Sequence, residues 1–366
     1  MDLDVVGSDQ LTSLLNTWNQ YIRTSEIERA EQVRKNVQNK LSSIEENQSK
    51  FIDYLLLEFR HQLLQKNSEE ITSLLPKVES YQTEMDGLQT FYFFFLKGIY
   101  LYNTRNYEAA LENYELAEKK LSFVSDDVER AEFYYKLASL YYQFRQTYLS
   151  TDYVKKAIDI FQLTPNFSKR VAHCELLIGL NCVDMKQFEQ AEVQFHSALD
   201  CANKCKDEEL KKFVYHNLGL LYAEQNLSEV ALRYLNKLSS DKEYEKYPTI
   251  LFLLTREYCK LNAIEEAKFW YDQGKRSCEI QGNQEYLYRF KLLNATYLQS
   301  NENYFEETFK EGISYFYKEK LWLNVESYAE ELASFYKEKE RYKEAVDYYE
   351  LAKEVRQKIL EKVALK

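Results

Sequence analysis

Apolar residues return at helical spacing from the beginning of the chain. Leu11, Leu14, Leu15, Trp18 and Tyr21 or Ile22 form one stripe, which predicts an amphipathic helix over about Asp9–Arg23. Segments at about Ser25–Glu45 and Asn47–Lys66 carry the same period, the latter through Phe51, Tyr54, Leu55, Glu58 and Phe59 beside Arg60 and His61. "SEIE", Ser25 to Glu28, has the spacing of a capping box. These stripes predict a three-helix bundle over residues 1–68, and "QKNSEEITSLLPKVESYQTEMDG" leads out of it as a helical linker, residues 69–90.

From residue 91 to 366 the pattern repeats between helices as well as within them. A small residue is followed three later by a large one; after a gap come alanine, a large residue four on and a small one three on. The frame reads Gly98, Leu101, Ala110, Tyr114, Ala117; then Ala138, Tyr141, Ser150, Val154, Ala157; then Gly179, Cys182, Ala191, Phe195, Ala198. Looser copies start at Gly219 and Thr255, a degraded one surrounds Ala295, Leu298 and Glu307, and a clean one runs Ala333, Tyr336, Ala345, Tyr349, Ala352. Generic helix cores explain the period inside a helix and not this one. The frame resembles the tetratricopeptide repeat, whose small residues let paired helices approach while large ones fill the groove. The spacing of 36 to 41 residues places the excess over the usual repeat in longer helices and turns. The predicted fold is all-α: an N-terminal three-helix bundle followed by a right-handed superhelix of about seven tetratricopeptide-like repeats.

Composition agrees. Eight glycines and three prolines among 366 residues leave too few turn residues for sheets, and Pro76, Pro165 and Pro248 are expected at helix boundaries. A net charge of −11 disfavours sequence-independent nucleic-acid binding. The acidic start "MDLDVVGSDQ" lacks a signal-peptide pattern, and "FYFFFLKGIYLY" is too short for a membrane span, so a cytoplasmic chain without membrane contact is expected. The six cysteines are expected as reduced thiols, and His196, Cys201 and Cys205 lack the second matched pair of a structural zinc site, so no metal is assigned.

Arrays of this kind hold extended peptides on the surface lined by the first helix of each pair. Positions that point inward in this motif are Asp184 in the third copy and Asn217 in the fourth. A carboxylate suits a basic side chain or an amine, and an amide can donate to and accept from a peptide backbone.

"SIEENQSKFIDYLLLEFRHQL" and "LSFVSDDVERAEFYYKLASLYYQFRQTYLSTDYVKKAIDIF", with "GLNCVD", "HNLGLLY" and "LLTREYCK", resemble the Rap family: peptide-controlled response regulator aspartate phosphatases and transcription-factor antagonists of Gram-positive bacteria. The resemblance spans nearly the whole chain. It implies a quorum-sensing receptor for a short secreted and reimported signal peptide, with a response regulator or transcription factor as its protein partner. Gln48 matches the glutamine that enters the regulator's active site, where an amide can orient water against an aspartyl phosphate. Glu45, Glu46, Phe51 and Phe59 would supply the partner surface; Asp184, Asn217 and Asn181 would contact the peptide. No cofactor is expected in this chain, since Mg²⁺ belongs to the regulator. Asn47 stands where the family often has aspartate, and Asp53 precedes Tyr54 where it has paired tyrosines. The resemblance leaves open phosphatase action or non-enzymatic sequestration of a transcription factor or mobile-element repressor. Direct DNA binding ranks last, because the long acidic segments contain no helix-turn-helix pattern.

Overall fold

In a computed structural model of the chain, the structure describes residues 3–24, 26–40, 47–238, 247–299 and 301–364. Among these, every regular element is helical. The predicted N-terminal stripes become α1 (Leu3–Arg23), α2 (Ile27–Gln38) and α3 (Gln48–Gln65). Glu26 precedes α2 without a side-chain cap bond, and Ser25 of the predicted capping box lies outside the described residues. The linker contains α4 (Ser68–Glu79), where the Asn67 side chain accepts from the Glu70 N–H at 3.4 Å. Pro76 lies inside α4, a correction to its expected boundary position. In the last turn the missing proline N–H costs one bond to a carbonyl, and α4 ends three residues later. Pro248 does open a helix, and Pro165 lies between two.

The chain divides into two compact units. The first, Met1–Gln143 with Tyr148–Pro165, extends past the boundaries expected at 68 and 90. It holds the bundle, α4, and the pairs α5 (Gly87–Asn103) with α6 (Tyr107–Glu118) and α7 (Asp127–Gln143) with α8 (Thr147–Leu163). Trp18, Phe59 and Phe93 are fully buried in one apolar cluster. Charges explain why bundle and first repeats go together. Arg23 reaches Asp126 at 2.7 Å and Glu129 at 3.3 Å, and Arg60 reaches the same Glu129 at 2.9 Å, so α1 and α3 are both tied to α7.

A polar network crosses the bundle itself. The Trp18 indole N–H donates to His61 Nδ1 at 3.2 Å, which leaves the ring proton on Nε2, 3.1 Å from a Glu31 carboxylate oxygen. Arg34 grips Glu58 through two N–H groups, at 2.8 and 2.7 Å, and Gln62 donates to Glu58 at 2.7 Å. Burial is the main cause that pushes the His61 pKa below its usual value.

The second unit, Phe144–Thr147 with Asn166–Lys366, stacks further pairs. They are α9 (Ser168–Asp184) with α10 (Phe188–Cys205), α11 (Glu208–Glu224) with α12 (Ser228–Leu235), and α13 (Pro248–Lys260) with α14 (Ile264–Gln281). Next come α15 (Gln284–Leu293) with α16 (Glu302–Lys318), then α17 (Trp322–Glu338) with α18 (Tyr342–Ala364). The small positions of the frame do what the pattern requires. A Cβ on Gly179 would stand 2.3 Å from the Phe195 ring, so the side-chain hydrogen is what lets α9 and α10 close up. The degraded copy has its own signature: a π-helical turn, Asn294–Leu298, follows α15 directly. Tyr349 is exposed although its copy is clean.

Glycine scarcity has a structural counterpart in the turns. Arg105, Arg145, Lys186, Asn226, Asn262 and Glu340 all have φ between 56° and 62°, each at the turn inside a helix pair. Non-glycine residues take this left-handed position at about 1 kcal/mol each, and the packed pairs on either side hold them there. Among the described residues no helix is long and apolar enough to cross a membrane.

Candidate functional site

The segment holding Gln48 is built by its neighbours. Asn47 has extended backbone and its side-chain oxygen accepts from the Lys50 N–H at 3.2 Å, so this asparagine starts α3 as an aspartate would. Gln48 is therefore the first residue of the helix, and it is exposed. Gln89 of α5 fixes the turn from behind, donating to the Ser49 carbonyl at 3.0 Å and to Asp53 at 2.8 Å. The same residue completes a capping box with Asp86. Burial pushes the Asp53 carboxyl pKa up and the Gln89 bond pulls it down. Sequence spacing does not point to Gln89, whose partners lie 40 and 36 residues away.

The expected apolar anchors are placed elsewhere, a correction with a simple cause. Phe51 is 5% exposed, its ring edge-on to Tyr81 at 5.7 Å, and Phe59 is fully buried. Both lie on the face of α3 that closes the bundle core, where they cannot offer apolar surface to a partner. Glu45 and Glu46 lie outside the described residues.

In the second unit Asp184 closes α9 with its side chain mostly covered, 15% exposed. Burial raises its pKa, offset in part by Arg145. One carboxylate oxygen meets Arg145 at 3.2 Å; the other is enclosed without a hydrogen bond. Asn181 lies one turn earlier on α9 and is fully buried; Asn217, on α11, is 8% exposed.

A ladder surrounds Asp184. Arg145, Lys186 and Asn226 are the left-handed residues at the turns inside three successive helix pairs, and each meets the equivalent site one pair later: Asp184 at 3.2 Å, Glu224 at 3.9 Å and Lys260 at 3.3 Å. Arg145 is thus a site residue that sequence reading missed. A basic residue set 39 positions before an acid, echoed by Lys186 and Glu224 at 38, was the available signal. Among the described residues no cluster of histidine, cysteine and acids could hold a metal, and the six cysteines are free thiols.

Comparison with known proteins matches both ends of the chain. The family model of response regulator aspartate phosphatase H, N terminal, fits residues 5–66, and a tetratricopeptide-repeat model fits residues 328–359. Regulatory protein RapC of Bacillus subtilis is 32% identical, with 98% of this chain and 97% of RapC covered; for Regulatory protein RapF of the same organism the figures are 30%, 99% and 98%. A solved structure of a Rap protein complexed with Competence and Sporulation Factor superposes with a TM-score of 0.86 at 28% identity, covering 96% of this chain and 99% of that one. Since the identity to RapC runs through both compact units and not through the repeats alone, the chain belongs to the Rap family.

Proposed function

We propose that this chain is a cytoplasmic receptor for a short signal peptide and that its peptide-free form binds and inactivates a regulator, dephosphorylating a response regulator through Gln48. The observation that carries this reading is the exposed amide of Gln48 at the first position of α3, inside the segment that fits a response regulator aspartate phosphatase model. An uncharged amide there can donate to and accept from water, orienting it in line with an aspartyl phosphate. The regulator brings the phosphorylated carboxylate and Mg²⁺. Gln89 and Asn47 hold the turn, so the amide starts from a fixed backbone. The peptide seat is the array near Asp184, Asn181 and Asn217. Control requires the peptide to bind one arrangement of the protein more tightly than another.

A second reading is non-enzymatic sequestration of a transcription factor or repressor. It is favoured by two relatives at 30% identity or above, RapC and RapF, each named a regulatory protein. The deciding measurement is release of phosphate from phosphorylated response regulators by wild type and Gln48→Ala. Loss of release with regulator binding intact supports the phosphatase. Binding without release by wild type supports sequestration.

A further inference from the structure

Two thiols of the second unit come together where α9 begins and α10 ends. Cys201 and Cys205 lie one turn apart on α10, and both meet Ser168, the first residue of α9. The Cys201 thiol donates to the Ser168 carbonyl at 3.3 Å, and the Cys205 sulfur lies 3.7 Å from the Ser168 hydroxyl. Cys205 is exposed and Cys201 half-buried, whereas Cys174, Cys182, Cys259 and Cys278 are buried. This pair therefore offers a reagent in solution one open thiol with a second beside it.

Helical spacing sets how the two sulfurs can meet. Residues four apart hold their Cα atoms about 6 Å apart, inside the range of a disulfide, but their Cβ atoms about 5–6 Å apart, against roughly 3.5–4.5 Å across an S–S bond. The difference has to come from the last turn of α10. Cys205 is the final residue of that helix, and Lys206 after it is left-handed at φ 51°, so one end of the pair sits where a helix frays most easily. Asp207 follows. Its side chain accepts from the Leu210 N–H at 3.0 Å, which starts α11, and pairs with Lys169 of α9 at 2.7 Å. Drawing Cys205 towards Cys201 thus pulls on the clasp between α9 and α11.

Burial pushes the Cys201 thiol pKa up, and Cys205 adds to the rise, so an external reagent meets Cys205 first. We propose that Cys205 and Cys201 are a redox modification site, which a low-molecular-weight disulfide converts to an intramolecular disulfide that loosens the α9–α11 clasp. The Cys205 thiolate attacks one sulfur of the small disulfide, whose S–S bond breaks and releases one small thiol. Cys201 then gives up its proton and attacks the Cys205 sulfur, releasing the second small thiol. Two protein thiols are oxidised and one small disulfide is reduced to two thiols. The strain left in the last turn makes the new bond easy to reduce again.

The test uses the full reduced chain, oxidised glutathione as the small disulfide, and intact-mass spectrometry with peptide mapping. Wild type is expected to lose two hydrogen atoms through a single Cys201–Cys205 bond, with the four buried cysteines still reduced. Cys201→Ser is expected to stop with one glutathione on Cys205, and Cys205→Ser to gain none. In oxidised wild type the amides of Leu210 and Lys211, both bonded to Asp207, are expected to exchange with solvent about tenfold faster or more. Wild type that does not react, that keeps glutathione on Cys205, or that is oxidised at other cysteines overturns the site, as does the same oxidation in Cys205→Ser. Unchanged exchange at Leu210 and Lys211 after oxidation overturns the loosened clasp. The wild-type measurements need no variant, and circular dichroism establishes that the two serine variants keep their helices.

Discussion

Arg60 in the first unit and Arg289 in the second both hold a guanidinium away from bulk water, yet their surroundings differ. Arg60 meets Glu129 at 2.9 Å, and Arg23 meets the same carboxylate from α1. Arg289 meets aromatic faces and no carboxylate among the described residues. In the first unit buried charge decides which helices come together, since an arginine left beside an apolar surface would be penalised. In the second it is held by stacking on Phe252 and Tyr286, with no ion pair among the described residues. The same side chain is thus fastened by a carboxylate in one unit and by aromatic rings in the other.

The comparison can be broken by removing a charge from each side. Glu129→Gln strands the buried Arg60, while Arg23 keeps Asp126, and is expected to destabilise the protein by about 3 kcal/mol, whereas Arg289→Met, which strands no partner charge, should change stability by less than about 1 kcal/mol. Urea unfolding of the two variants measures both, and a neutral Glu129→Gln would erase the contrast. Next in size is packing within the second unit. Gly179→Ala puts a Cβ against the Phe195 ring and should cost about 1–3 kcal/mol, read from the same unfolding curves.

The pH response sharpens the comparison further. Burial lowers the pKa of His61 in the first unit, and that of His216 in the second to about 4, from an ordinary 6.5. A neutral ring is preferred in the folded chain, so the unfolded chain binds more protons below pH 6.5. The contribution of His216 is present above that pH and is lost as pH falls towards 4; between pH 7 and 5 the loss should be about 1–2 kcal/mol. A urea midpoint that rises on acidification, or one that His216→Gln leaves just as pH-dependent, would contradict this. The smallest effect is expected at Arg145, which is half exposed in its pair with Asp184. Arg145→Ala should change stability by no more than about 1 kcal/mol, and a larger loss by thermal unfolding would mean that the ladder is structural.

Local patterns were legible where one helix or one helix pair carries the signal. The stripe of Leu11, Leu15, Trp18 and Ile22 is buried as a stripe, and Gly98, Gly179 and Gly219 face Tyr114, Phe195 and Leu235 as the repeat frame requires. The start of α3 near Gln48 was legible because the beginning of an amphipathic run is a local feature, whereas the role given to Gln48 comes from the family resemblance. Phe51 and Phe59 were misplaced because periodicity names the apolar face without saying whether that face meets a partner or the bundle's own core. Pro76 was misplaced because composition says only where proline tends to sit, and α4 runs on for three residues past it despite the lost bond. Gln89 and Arg145 escaped notice because each is an ordinary polar residue until the chain folds it against one far away.

By itself the sequence determined an all-helical chain, the phase of its repeat and the residues that close each helix pair, since these depend on neighbours within about 40 positions. Only the tertiary structure decided which charges are matched. Arg23 finds Asp126 across 103 residues, and Arg289 stacks on Phe252 with no ion pair among the described residues. Desolvation and Coulomb attraction act through space, and no period along the chain encodes who will stand opposite.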